Sequence, residues 1–272
     1  MGWFMASIGF FSGLISAALF AGGLNAAEIK LGGTGGDLGT MRLIAKAYMA
    51  QNPETEVVVY PSLGSGGGIR AVIAGAIDLS ISSRPLKDKE RTAGVADFAY
   101  GKTALVVATV ADQQLKDLSL RRLVDIYAKR DTTWPNGRRI RLVLRPLNDG
   151  DTKLVEDQVE GMAMAFRAAD RPGATIGRTD QDAADALERR PDSIGILSLS
   201  LILGENRPLR SLALNGVAPT VEALSVDRYP LTKTFYMVTK AAMGVGARRF
   251  VDFIRSPVGR DILIRTGHVP SE

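Results

Sequence analysis

Ile29-Lys30-Leu31-Gly32-Gly33-Thr34-Gly35-Gly36-Asp37 is a short apolar strand running into a glycine turn, and Val57-Val58-Val59-Tyr60-Pro61-Ser62-Leu63-Gly64-Ser65-Gly66-Gly67-Gly68 repeats the arrangement. A helical pattern follows each turn. The first amides of a helix lack carbonyl partners and lie at the positive end of its dipole, so an oxyanion fits there without a lysine. Glycine lets the backbone approach closely, and Thr34 and Ser65 add hydroxyl donors. Either turn alone is also an ordinary connection between a strand and a helix. Together with a third strand, Ile77-Asp78-Leu79-Ser80-Ile81, ending in Ser82-Ser83-Arg84-Pro85, they point to an anion held outside the carboxyl ends of a parallel sheet. Serines at strand ends also cap helices, and the two roles are compatible.

The rest of the chain keeps the alternation of strand and helix, which predicts an α/β fold with largely parallel sheets. Met41, Ile44, Ala45 and Tyr48 share one helical face, and the helix stops at Asn52-Pro53. Residues 103–110 read as a long buried strand. Ser119 then caps a helix carrying Leu120, Leu123, Val124 and Tyr127, and Pro135-Asn136-Gly137 turns into a strand over 140–144 that ends at Arg145. A helix is expected near Gly150-Asp151-Thr152. Thr179 with Asp182 three residues on resembles a capping box. Further strands are expected at 193–197 and 235–238, with helices through Phe250 and Ile254 and through Val258 and Ile262. There is no internal repeat and no low-complexity linker, so any two lobes must be joined by strands or short turns.

Composition narrows the function. Residues 1–27 carry no charged side chain, and the apolar run from Trp3 to Phe20 is followed by Gly22-Gly23 and Leu24-Asn25-Ala26-Ala27. This reads as a signal peptide cleaved after Ala26 or Ala27, although without a basic residue before the run an uncleaved anchor stays open. About 245 residues remain, enough for one large domain or two lobes. The absence of cysteine excludes disulfides, lipidated cysteine, thiolate metal sites and cysteine nucleophiles. The net charge of +5, from 34 basic and 29 acidic residues, is scattered in pairs such as Arg121-Arg122 and Arg189-Arg190, and aromatics are 6%. A nucleic-acid surface needs clustered charge and stacking rings, so small anions suit this chain better. Catalysis has little to stand on: a Ser-His-Asp triad would need His268, the single histidine, which reads as a solvated tail residue. Neither a Gly-x-Ser-x-Gly elbow, a Walker motif nor a histidine-rich metal cluster is present.

These residues resemble the phosphate-binding proteins of bacterial ABC importers and their relatives in the type II periplasmic binding-protein superfamily. The resemblance is carried by Gly33-Thr34-Gly35-Gly36, Gly64-Ser65-Gly66-Gly67-Gly68-Ile69, Asp78 through Ser82-Ser83-Arg84-Pro85-Leu86, and Leu118-Ser119-Leu120 through Trp134. Farther on come Ser193-Ile194-Gly195-Ile196, Asn215-Gly216-Val217-Ala218-Pro219-Thr220 and Arg228-Tyr229-Pro230-Leu231. It implies two α/β lobes closing over a ligand cleft, with crossovers near 103–110 and 229–238. The lobes would comprise 28–105 with a return segment 229–272, and 106–228. It further implies a monomer in the periplasm that captures an oxyanion, phosphate above all, for an inner-membrane permease, with neither cofactor nor metal. Sulfate, molybdate, tungstate and a sensory role on the same fold remain alternatives.

By the same resemblance the ligand donors are Thr34, Gly35, Gly36, Ser65, Ser82, Ser83 and Arg145, with Arg84 as a further candidate. Two departures stand out. Where many phosphate binders carry an aspartate after the first strand-end serine, this chain has Ser83. Where a Ser-Gly-Thr turn is expected, it has Asp149-Gly150-Asp151. Asp149, Asp151 or, as a third choice, Asp37 is then the acceptor for the proton of hydrogen phosphate, or the site has moved away from phosphate. Arg84 and Arg145 could equally be salt-bridge residues, and Asp149 and Asp151 could simply cap a helix.

Overall fold

In the computed structural model, which describes residues 1, 27–110, 115–170 and 172–272, the first half of the chain alternates as its glycine turns suggest. Strand β1 (Ala27–Gly33) passes through a 3-10 turn (Gly35–Asp37) into α1 (Leu38–Gln51). Then follow β2 (Thr55–Val59), α2 (Gly64–Ile73), β3 (Leu79–Ser82), the single turn α3 (Asp88–Arg91) and the long β4 (Val95–Val110). The middle of the chain holds β5 (Asp117–Leu118), α4 (Leu120–Tyr127), β6 (Arg141–Leu144), α5 (Gly150–Gln158), α6 (Met162–Ala169), β7 (Thr175–Ile176), α7 (Asp180–Arg189) and β8 (Ser193–Ser198). It ends with α8 (Leu199–Gly204), β9 (Leu209–Ser211), β10 (Ala213–Leu214) and α9 (Val221–Ser225). The return segment carries β11 (Thr232–Lys240), α10 (Val245–Arg255), α11 (Pro257–Arg265) and β12 (His268–Pro270). No helix among the described residues is long and apolar enough to cross a membrane.

The strands lie in the order β2-β1-β3-β11-β4-β8-β6-β7, with β9 and β12 also on β4. Strands β1, β2 and β3 are mutually parallel, as are β6, β7 and β8, while β4 and β11 run against their neighbours. Strand β4 belongs to both lobes. Its residues 95–104 pair with β11 and its residues 105–108 with β8, and the amide of Leu105 donates to the carbonyl of Leu231 where the partner changes. One lobe has its core around Ile44, Tyr48, Phe235 and Phe250, the other around Val106, Leu123, Trp134 and Leu197.

The helix faces read from periodicity are the buried ones: Met41, Ile44, Ala45 and Tyr48 are all inside. Ser119 caps α4 by accepting from the Arg122 amide, and Thr179 with Asp182 forms a complete capping box on α7. Strand β4 begins eight residues before the expected 103. Its first part holds Ala96, Asp97, Ala99 and Gly101, poor strand formers that are extended because β11 and β12 pair with them. The second glycine run is helix from Gly64 on. A Cβ on Gly68 would lie 2.1 Å from Ser80 Oγ and 2.8 Å from Gly33 Cα, so glycine there lets α2 pack onto β1 and β3.

His268 departs from its reading as a tail residue. It is fully buried in β12, which pairs with residues 101–103 of β4, and its ring packs beside Gly101, where a Cβ would come within 3.1 Å of Cδ2. Its Nε2 lies 3.1 Å from Asp37 Oδ1, and the hydroxyl of Tyr100 donates to Asp37 Oδ2. Asp37 is therefore engaged in the core, and among the carboxylates considered for the ligand's proton it drops out.

Candidate functional site

Between the lobes lies a cavity of about 690 Å³, lined from the first lobe by Thr34, Ser65, Ser83 and Arg84 and from the second by Arg145, Asp149, Gly150, Asp151 and Asp180. Helix α2 points its N-terminus into it. The residue at its N-cap is Leu63, which has no side-chain acceptor, so the first-turn amides keep their capacity to bind an anion, and the helix dipole favours one. Ser65 sits in that first turn, accepts from the Ser83 amide at 2.9 Å and shares a hydrogen bond with the Ser83 hydroxyl at 3.0 Å. Thr34 is buried, its amide donates to the Ile81 carbonyl, and its side chain lines the same cavity.

The opposite wall is charged. Arg145 follows β6 directly, donates to the Gly177 carbonyl at 3.0 Å and to Asp149 at 2.7 Å, and lies 3.6 Å from Asp180. Its buried Nε has no hydrogen-bond partner among the described residues. Asp149 caps α5 by accepting from the Asp151 amide. Asp151 is 4% exposed, and its Oδ1 lies 2.6 Å from Nζ of Lys233, which is 1% exposed and sits over the Phe235 ring. Three carboxylates, Asp149, Asp151 and Asp180, thus face two cations.

That excess of negative charge governs protonation. Burial, reinforced by Asp180 and Asp149 and opposed by Lys233, raises the Asp151 carboxyl to about 6. Burial pulls the Lys233 ammonium down, but Asp151 and Asp180 outweigh it and leave its pKa raised. Arg145 follows the same pattern, with burial offset by Asp180, Asp149 and Asp151. Near neutral pH the cluster therefore stands ready to take up one proton through Asp151. Among the described residues no group of His, Asp and Glu could hold a metal ion.

The cavity gathers Thr34, Ser65, Ser83, Arg84, Arg145, Asp149, Gly150 and Asp151, and it leaves out Gly35, Gly36 and Ser82. The two glycines face the other lobe. A Cβ on Gly35 would lie 2.3 Å from Gln181 Oε1, and one on Gly36 2.8 Å from Ser198 Oγ. Their carbonyls accept from Gln181, Ser198 and Ser200 at 2.8 to 2.9 Å. The first glycine turn is thus a seam between lobes, with Thr34 alone reaching the cavity. The Ser82 hydroxyl is occupied by the Arg84 backbone, donating to its carbonyl at 2.6 Å. The Arg84 guanidinium makes a two-pronged pair with Glu90, 2.8 Å on each side, and the Glu90 carboxyl is held down at about 2 by that contact.

Lys233 and Asp180 are site residues that sequence reasoning passed over. A signal for Lys233 exists: in Thr232–Lys240 alternation puts Lys233, Phe235 and Met237 on one buried face, so a lysine in that series must have a buried partner. Asp180 is hidden behind Thr179, since an acidic residue in a first helical turn needs no other explanation.

The molecule is similar to several proteins of known name. A candidate phosphate ABC transporter substrate-binding protein from Clostridium perfringens, solved with bound phosphate, superposes with a TM-score of 0.77 at 22% identity, over 90% of this chain and 100% of that one. Protein SphX of Synechococcus elongatus is 25% identical over 84% of this chain and 72% of its own length. Phosphate-binding protein PstS 2 of Streptococcus agalactiae is 25% identical over 44% of this chain, a match that spans only 41% of that relative. Residues 21–258 match the PBP superfamily domain, and with the two-lobed fold around its cleft this chain belongs to that superfamily.

Proposed function

We propose that this protein captures a tetrahedral oxyanion, phosphate before others, between its lobes and presents it to an ABC importer from the periplasm, as a monomer released from its N-terminal signal segment. One observation carries the reading: the uncapped N-terminus of α2, with Thr34, Ser65 and Ser83, faces Arg145 and the proton-poised Asp151 across one cavity. The first group supplies neutral donors for anion oxygens. Arg145 supplies charge, with its Nε still unpartnered. Asp151 supplies an acceptor for the O–H that hydrogen phosphate carries and sulfate lacks, replacing the aspartate expected at position 83. Gly35, Gly36 and Ser82 serve the reading as lobe contacts and local structure, Arg84 as a rim residue tied to Glu90. The lobes are taken as 28–105 with 229–272, and 106–228, and the protein binds without turning its ligand over. Relatives named for phosphate binding support this assignment. Titration calorimetry at pH 8 with phosphate, sulfate, molybdate and tungstate tests it, with phosphate expected to bind tightest. Preference for any other of these anions contradicts it.

A further inference from the structure

The cavity is far larger than orthophosphate, although the lobes already touch across its floor. A Cβ on Gly150, at the start of α5, would lie 3.1 Å from Ser83 Oγ beyond the end of β3, so the two lobes approach closely there. With that contact made, about 690 Å³ remains. Taking about 30 Å³ for one water, an orthophosphate ion displaces two to three of them, roughly 60 to 90 Å³. The remainder matches pockets that enclose much larger ligands.

The same space is also lined by charges that the site described above does not use. Lys87, after β3, stands on one lobe, where its charge helps hold down the Glu90 carboxyl, and Arg178, before α7, stands on the other; among the described residues neither side chain lies within ion-pair distance of a carboxylate. Their neighbours are engaged or opposed: Lys153 is paired with Glu156 at 2.6 Å, Arg84 with Glu90, and Asp157 on the same wall carries the opposite charge. A second anionic group in this cavity would give the two cations, one from each lobe, a common partner.

Resting on the phosphate reading above, we infer that Lys87 and Arg178 form a second anion subsite, and that the ligand class includes phosphate joined to a further anionic group, pyrophosphate being its smallest member. The inner phosphoryl group lies against α2, Ser65 and Arg145; the outer one is clamped by Lys87 and Arg178. Calorimetry at pH 8 and low salt, with orthophosphate and pyrophosphate as probes, tests this in the full chain. Pyrophosphate is expected to displace orthophosphate one for one. Lys87→Gln combined with Arg178→Gln is expected to weaken pyrophosphate at least tenfold while orthophosphate stays within twofold. Failure of pyrophosphate to displace bound orthophosphate, or equal loss of both ligands in the double variant, overturns the subsite. Binding of pyrophosphate through Lys87 and Arg178 without any orthophosphate binding upholds the subsite and overturns the orthophosphate reading, and binding of neither overturns both.

Discussion

Replacing Asp151 by asparagine changes the proton count of the site, and the consequence for sulfate follows from its environment. Sulfate brings no proton, so when it enters beside Asp151 the carboxyl must be protonated to avoid a buried repulsion. With the Asp151 carboxyl at about 6, holding that proton at pH 8 costs about 3 kcal/mol, because each unit is worth a little over 1 kcal/mol. Wild-type sulfate affinity should therefore fall about tenfold per pH unit above 6, and about a hundredfold by pH 8. Hydrogen phosphate carries its own proton and escapes this penalty. In Asp151→Asn the sulfate profile should flatten and sulfate at pH 8 should gain up to about a hundredfold. Phosphate should lose about 1 to 2 kcal/mol with the charged acceptor. The sign for folding is the same: a carboxyl raised from 3.8 stabilises the ligand-free fold most below 3.8 and loses that contribution as pH rises through about 6. Calorimetry from pH 5 to 9 in buffers of different ionisation heat reads both affinity and proton uptake. Sulfate binding that is independent of pH in the wild-type protein, with no proton taken up, would mean that Asp151 does not meet the bound anion.

Three further outcomes follow from buried charge. Lys233→Met leaves Asp151 without its close cation and should cost about 3 to 5 kcal/mol of stability in denaturant titration, with much of the loss recovered when Asp151→Asn is added; an additive double variant speaks against the pair. Arg145→Ala should weaken phosphate by about 2 to 4 kcal/mol, whereas Arg84→Ala, which breaks a pair with Glu90 at the rim, should change affinity little and stability by about 1 kcal/mol; equal losses of affinity would place Arg84 on the ligand. His268→Ala removes the partner of buried Asp37 and the anchor of β12, and should lower stability by about 3 kcal/mol or more; unchanged thermal unfolding would mean that β12 is dispensable.

Much of this fold lies in local pattern, because capping and periodicity are local. Ser119, Thr179 and the face Met41-Ile44-Ala45-Tyr48 each act within one helix, and the structure uses them as read. The glycines were harder. Gly35, Gly36 and Gly68 look like backbone meant for an anion, yet each admits another part of the chain: Gln181, Ser198 and Ser80. Sequence shows that a Cβ is missing but not what fills its place. Arg84 has its partner six residues away on a helix of one turn, and nothing in the intervening residues fixes where Glu90 will point. His268 and Lys233 acquire their environments from strand pairings far apart in the chain, so only the alternation around Lys233 was available beforehand. Arg145, Asp149 and Asp151 were legible because strand end, turn and helix start lie within seven residues, although the burial that raises Asp151 was not.

Whether phosphate lies between α2 and Asp151 can be seen in a crystal structure of the protein with phosphate at pH 8. One anion is expected in the cleft, with oxygens in hydrogen-bond contact with Ser65, Ser83 and the first-turn amides of α2, with Arg145 on the facing side and Asp151 accepting the ligand's proton. A cleft without phosphate at saturating concentration, or phosphate bound away from α2 and Asp151, would contradict that placement.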